Sequence, residues 1–161
     1  MAAIRMRSDV QPQKEVLDFL VHQAVHLRKK YGYESGGIFP QLKDVGRKGM
    51  HHVCRHIAIQ NALAYEAREL EHRVRVGSIY VPSKKAFFGH ATLEVKTKEG
   101  ILEVDPTYLG KFAVEEEWST EELKHIVQNP KRPFYELVVF SDAPTYREHI
   151  LSKRTHNIFR L

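Results

Sequence analysis

"GHATLEVKTKEGILEVDPT", Gly89 to Thr107, is two runs of alternating side chains joined by a short polar turn. Successive side chains of a strand point to opposite faces, so Ala91, Leu93 and Val95 share one face and His90, Thr92 and Glu94 the other. In the returning run Leu102 and Val104 are the apolar pair, which leaves Ile101, Glu103 and Asp105 opposite. A core needs the two apolar sets on one side, because the other register would bury Glu94 and Glu103. The hairpin therefore brings His90 and Asp105 to a common face. With the turn centred between Thr97 and Lys98 they sit directly opposite, and a shift of one step each way puts them on a diagonal, still within reach. Gly100 offers a competing three-residue loop that would change the parity, but the hydrophobic pattern outweighs it. A surface His–Asp hydrogen bond is common, and Asp105-Pro106-Thr107 is also a good turn opener. The pair needs a third group before it implies chemistry.

Working outward, the spacing of Leu17, Leu20, Ala24 and Leu27 predicts a helix from Pro12 to Tyr31, with Pro12 suiting a first turn and Gly32 a stop. From Gly32 to Met50 glycine, proline and lysine dominate, which predicts a long loop of the kind that usually carries function. A second helix is expected from Cys54 to Leu70, with Ile57, Ala58, Ala62 and Tyr65 on one side. "VRVGSIYV" and "FYELVVF" read as two further strands around the hairpin. Before the last of them, "STEELKHIV" holds a capping box, Ser119 with Glu122, for a short helix. The tail after Pro144 suits one more short helix. Helices first and then mostly antiparallel strands is an α+β layout.

"HHVCRH", His51 to His56, contains the chain's one cysteine. A cysteine in the first turn of a helix meets unpaired N–H groups and the positive end of the dipole, which favour the thiolate. A nearby imidazolium favours it further, and an aspartate fixes the ring's tautomer and supports its charge. Backbone N–H groups at the same helix start can face an oxyanion. Cys54, His90 and Asp105 thus supply a nucleophile, an acid/base and an orienting group in an order that a helix followed by a hairpin can bring together. The bland alternative is a buried cysteine, since cysteine is among the most often buried residues.

At these residues the chain resembles the transglutaminase-like superfamily of papain-type cysteine enzymes. "VCRHIAIQNAL" is similar to that family's nucleophile helix, and "GHATLEV" followed by "ILEVDPTY" is similar to its histidine strand and its aspartate strand. The likeness covers roughly Met50 to Tyr108. It implies an antiparallel sheet packed on an N-terminal nucleophile-bearing helix, in one domain spanning residues 1–161. It also implies thiol-dependent acyl transfer from an amide, with Cys54, His90 and Asp105 as the catalytic residues and no cofactor. The chain departs from the family's pattern at His52, where glycine is common, and at Thr92, where an aromatic is common. Arg55 stands where crosslinking members usually carry tryptophan, so a hydrolytic member acting on a peptide, protein or other amide is the expectation.

Gln41 in the loop before the nucleophile, and His51 and His52 beside it, are candidates to donate to an oxyanion or line the acyl pocket; both histidines are equally loop residues with exposed rings. A rival from another class is a zinc-binding module using Cys54 and its neighbouring histidines. Against it stand the absence of a second cysteine and of an H-x-x-x-H pair around Cys54, so no metal is expected. A catalytically inactive binding module of the same fold is a further rival. Tyr108 and Trp118 read as packing or rim residues, and Phe87 and Phe88 as core residues that alternatively wall a cleft.

The totals fit this picture. Hydrophobic residues at 42% and charged residues at 28% of 161 suit one globular domain. A net charge of +5 leaves room for nucleic acid, but the charge is spread out and no recognition motif accompanies it, so none is expected. The opening "MAAIRMRSDV" lacks the apolar run of a signal peptide, and "FLVHQAVHL" is too short to cross a bilayer. A cytoplasmic protein with a reduced thiol is expected, its oligomeric state left open.

Overall fold

The computed structural model describes residues 11–32, 54–129 and 134–141, with residues 144, 145 and 148 beyond them. Gln41, His51 and His52, almost all of the loop before Cys54 and most of the tail after Pro144 lie outside the described residues. Within them the protein is a mixed α+β structure of four α-helices and one antiparallel sheet.

Helix α1, Gln13–Tyr31, starts after an extended Pro12 and ends at Gly32, whose N–H closes on the Arg28 carbonyl. Its stripe of Val16, Leu17, Leu20, Val21, Ala24 and Leu27 is buried. Helix α2, Cys54–Ala67, is shorter than expected, although Leu70 just beyond it is still buried. It is covered nearly all round, by α1, α3 and strands β1 and β2. That central placement explains why so many of its polar residues, from Arg55 and His56 to Asn61, are buried too.

The strands are β1, His72–Val81, β2, Ala86–Thr97, β3, Gly100–Val104, and β4, Phe134–Phe140, in the order β3-β2-β1-β4. A single 3-10 turn at Pro82–Lys84 joins β1 to β2. Leu93 pairs with Val104 and Val95 with Leu102, so the hairpin's apolar sets share the core face as the alternation requires. Thr97 faces Gly100, which makes Lys98-Glu99 the turn and keeps the parity that a three-residue loop would have broken.

Two elements separate β3 from β4 and carry the chain to the far edge of the sheet. Helix α4, Thr120–Gln128, opens on the capping box expected from Ser119 and Glu122. Helix α3, Pro106–Val114, was not expected; "DPT" opens a helix rather than a turn, with Asp105 as N-cap and Pro106 at its first position. Its Leu109 joins the core beside α1 residues and Leu123 and Val127 of α4. On the other side of the sheet β4 shifts register against β1 between Val76 and Gly77. A Cβ on Gly77 would lie 2.0 Å from the Tyr135 carbonyl oxygen, so only glycine lets the two backbones approach there.

Candidate active site

Three elements end at one place. Cys54 is the first residue of α2, His90 stands on β2 opposite Gly77, and Asp105 is the residue at which β3 gives way to α3. Extending the β2–β3 register places Asp105 across from Thr92, so His90 reaches it on the diagonal. His90 Nε2 donates to Asp105 Oδ2 at 2.6 Å, a charge-assisted length. The other carboxylate oxygen, Oδ1, accepts the Tyr108 N–H at 3.2 Å. Asp105 is therefore held from two sides, once as a helix cap and once as the partner of the imidazole.

The thiol completes the cluster. Cys54 Sγ lies 4.0 Å from the Gly89 carbonyl oxygen, which sets it against the Gly89–His90 step of β2. The residue as a whole is half-buried. Because Nε2 is committed to Asp105, Nδ1 is the imidazole nitrogen left for the sulfur. His90 is 4% exposed. Burial alone pulls its pKa down, but the Asp105 charge and hydrogen bond, followed by the hydrogen bond and charge of Cys54, outweigh burial and push it up to about 10. An imidazolium between the Asp105 carboxylate and the Cys54 sulfur is the favoured state through neutral pH. Such a group can hold a thiolate, release a proton to a leaving group and take one back.

The sequence located these three residues, and the structure brings them together. It missed how Tyr108 serves the site. Beyond supplying its backbone N–H to Asp105, Tyr108 places its ring 5.5 Å from that of His90. The ring continues outward through Phe112 at 6.0 Å to Trp118, which stacks on Phe112 at 4.6 Å. The signal was the three-residue offset from an N-cap aspartate, which fixes Tyr108 at the third helical position.

The expectation that Phe87 and Phe88 are core residues is corrected: they are 55% and 38% exposed. Phe87 leans on Tyr80 and Tyr135, and Lys84 lies over the Phe88 ring. Among the described residues no three His, Cys, Asp or Glu side chains gather as a metal site needs. His56, one of the histidines near Cys54, is completely buried within α2. Among the described residues no helix is long and apolar enough to cross a membrane.

No protein-family model, curated protein or solved structure matches this chain.

Proposed function

We propose that the chain is a transglutaminase-like cysteine enzyme that hydrolyses a peptide or side-chain amide through an acyl-enzyme. The observation that carries this reading is the 2.6 Å His90–Asp105 hydrogen bond beside a half-buried cysteine at the first residue of a helix. The four-stranded antiparallel sheet packed on the helix that bears Cys54 supports the same reading at the level of the fold.

The chemistry follows from the positions. The Cys54 thiolate, with the pair's one proton on His90 Nδ1, attacks the amide carbonyl, forming a C–S bond as the carbonyl electrons move to oxygen. First-turn N–H groups of α2 are oriented to favour that negative charge. His90, protonated at Nδ1, gives its proton to the amine as the C–N bond breaks, leaving a thioester on Cys54. The imidazole then takes a proton from water as its oxygen attacks the thioester. Collapse breaks the C–S bond, releases a carboxylic acid and restores the thiolate–imidazolium pair. Throughout, Asp105 keeps the Nε2–H engaged, so the tautomer that presents Nδ1 to the sulfur is the one maintained.

Alkylation of the one cysteine by iodoacetamide, followed across pH 5 to 9 by mass spectrometry, tests the reading. Substantial alkylation well below the range of a free thiol, about pH 8.5, is expected for the unmodified chain, and loss of that low-pH reactivity is expected in His90→Ala. A slow profile identical in both chains would sink the enzyme and leave an inactive binding module of the same fold.

A further inference from the structure

The candidate triad does not exhaust the surroundings of Asp105. The same residue lines a cavity of about 640 Å³ whose wall includes neither His90 nor Cys54. That volume falls within the roughly 300–1,000 Å³ of small-molecule sites. Its apolar wall is aromatic, from Tyr108, Phe112, Trp118 and Phe134, with Ile79 and Ile126 between them.

The polar part of the wall is acidic, on a chain that is basic as a whole. Glu103, Asp105, Glu121 and Glu122 face a single arginine, Arg75, together with His125. The ion pairs do not cancel this charge. Arg75 binds Glu94 at 3.0 Å, Glu103 at 3.1 Å and Glu136 at 2.8 Å, and Arg73 adds a second cation on Glu94 at 2.7 Å. Two guanidinium groups thus serve three carboxylates. Lys124 serves both Asp18 and Glu121. The Glu122 carboxylate caps the start of α4 through the Ser119 N–H. Each of these sets keeps one carboxylate more than it has cations among the described residues. Lys131 and Arg132, two of the four residues between Asn129 and Phe134 in sequence, lie outside them.

One cation already uses this wall: the Arg75 guanidinium sits 4.8 Å from the centroid of the Phe134 ring. Rings attract a cation over their faces, and a site screened from water strengthens that attraction. Asp105 itself is taken by the His90 imidazolium, so the charge left over on this wall lies with Glu103 and Glu121. We propose that the cavity binds a small organic cation, an ammonium group on an apolar or aromatic stem, at that acidic wall. The stem packs against Phe112, Phe134 and Ile126, and the charge meets the acidic wall. This goes beyond the acyl-transfer reading and does not depend on the thiol, so a Cys54→Ala chain serves equally well in the test.

Trp118, the chain's one tryptophan, lies in the wall and reports occupancy through its fluorescence. The full chain is titrated at pH 7 with three molecules of similar shape: 2-phenylethylamine, 2-phenylethanol and phenylacetate. A saturable change is expected, with the amine bound roughly tenfold more tightly than the alcohol and the carboxylate weakest. Glu103→Gln is expected to weaken the amine several-fold and leave the alcohol unchanged; Glu121→Gln, on an exposed position, repeats the test without touching the Arg75 cluster. Ile126→Phe, which fills the cavity, is expected to weaken amine and alcohol together. Equal affinity for amine and alcohol would reduce the site to an apolar hollow and overturn the proposal. Tighter binding of phenylacetate, no saturation with any of the three, or amine affinity indifferent to both glutamate substitutions would each overturn it as well.

Discussion

Strand β2 passes through two environments, and its composition alone does not tell them apart. From Leu93 to Val95 it pairs with β1 on one side and β3 on the other, and Leu93 and Val95 are wholly buried. From Ala86 to Gly89 it pairs with β1 only, and Phe87 and Phe88, larger and no less apolar, stay exposed. The length of β3 contributes, although His90 to Thr92, which it does not pair, are still buried. Five residues reach back only as far as Val104, after which Asp105 turns the chain into α3. Burial here is decided by what covers a residue rather than by its hydrophobicity. The candidate site lies at the boundary between the two environments, because the residue that ends β3 is also the partner of His90.

The largest expected effect tests the covered half. Leu93 has no exposed surface and sits in the core among Val74, Val95 and Val104. Leu93→Ala removes atoms from a site that flanking strands prevent from collapsing, and about 2–5 kcal/mol of stability should be lost. Urea unfolding measures this as a lowered midpoint at unchanged slope. A loss under about 1 kcal/mol would mean that the covered half is no better packed than the open one.

The boundary makes a prediction of intermediate size, in pH dependence. The folded His90 is raised to about 10 against an ordinary histidine value of 6.5, chiefly because the Asp105 charge overrides burial. A group raised on folding stabilises fully below its unfolded value and loses that contribution as pH climbs through its folded value. The protein's Tm should therefore fall between about pH 6.5 and pH 10 from this site. Asp105→Asn keeps a helix-capping side chain but removes the charge, so it should lower Tm most near and just below pH 6.5, progressively less towards pH 10, and make the remaining pH slope shallower. Each kcal/mol lost corresponds to roughly 2–4 °C for a chain of this size. Parallel Tm curves for the two chains across that window would refute the charged pair.

What the sequence disclosed follows the same division. The hairpin parity was legible because a one-residue slip would have reversed every side chain from Glu94 to Glu103. The start of α4 was legible because Ser119 and Glu122 satisfy each other's backbone groups whatever surrounds them. Cys54, His90 and Asp105 were legible as types and faces, and the diagonal contact followed from a turn one residue later than the symmetric choice. Helix α3 was missed because Asp-Pro-Thr serves turns and helix starts alike, and its nine residues, with Gly110 in the middle, carry little periodic signal. Phe87 and Phe88 were misjudged for a different reason: no local pattern states how far a neighbouring strand extends. The acidic aromatic cavity was invisible because Arg75, Asp105, Trp118 and Phe134 come from four separate stretches of chain.

The smallest expected effect belongs to the open half. Phe87 contacts Tyr80 at 5.1 Å and Tyr135 at 5.5 Å between ring centroids, so three rings from three neighbouring strands form a cluster on the sheet surface. Cross-strand pairs of this kind contribute roughly 0.2–1 kcal/mol each, and part of the Phe87 surface already faces water. Phe87→Ala should therefore lower stability by less than about 1 kcal/mol, several times less than Leu93→Ala, and leave the alkylation profile of Cys54 unchanged. Urea unfolding and alkylation of the same variant separate the two consequences. If Phe87→Ala destabilised the chain as much as Leu93→Ala, the β1–β2–β4 end of the sheet would have to be covered in solution, and the contrast between the halves of β2 would disappear. If stability held but alkylation of Cys54 changed, the aromatic surface would reach the thiol through the two residues, Phe88 and Gly89, that separate Phe87 from His90.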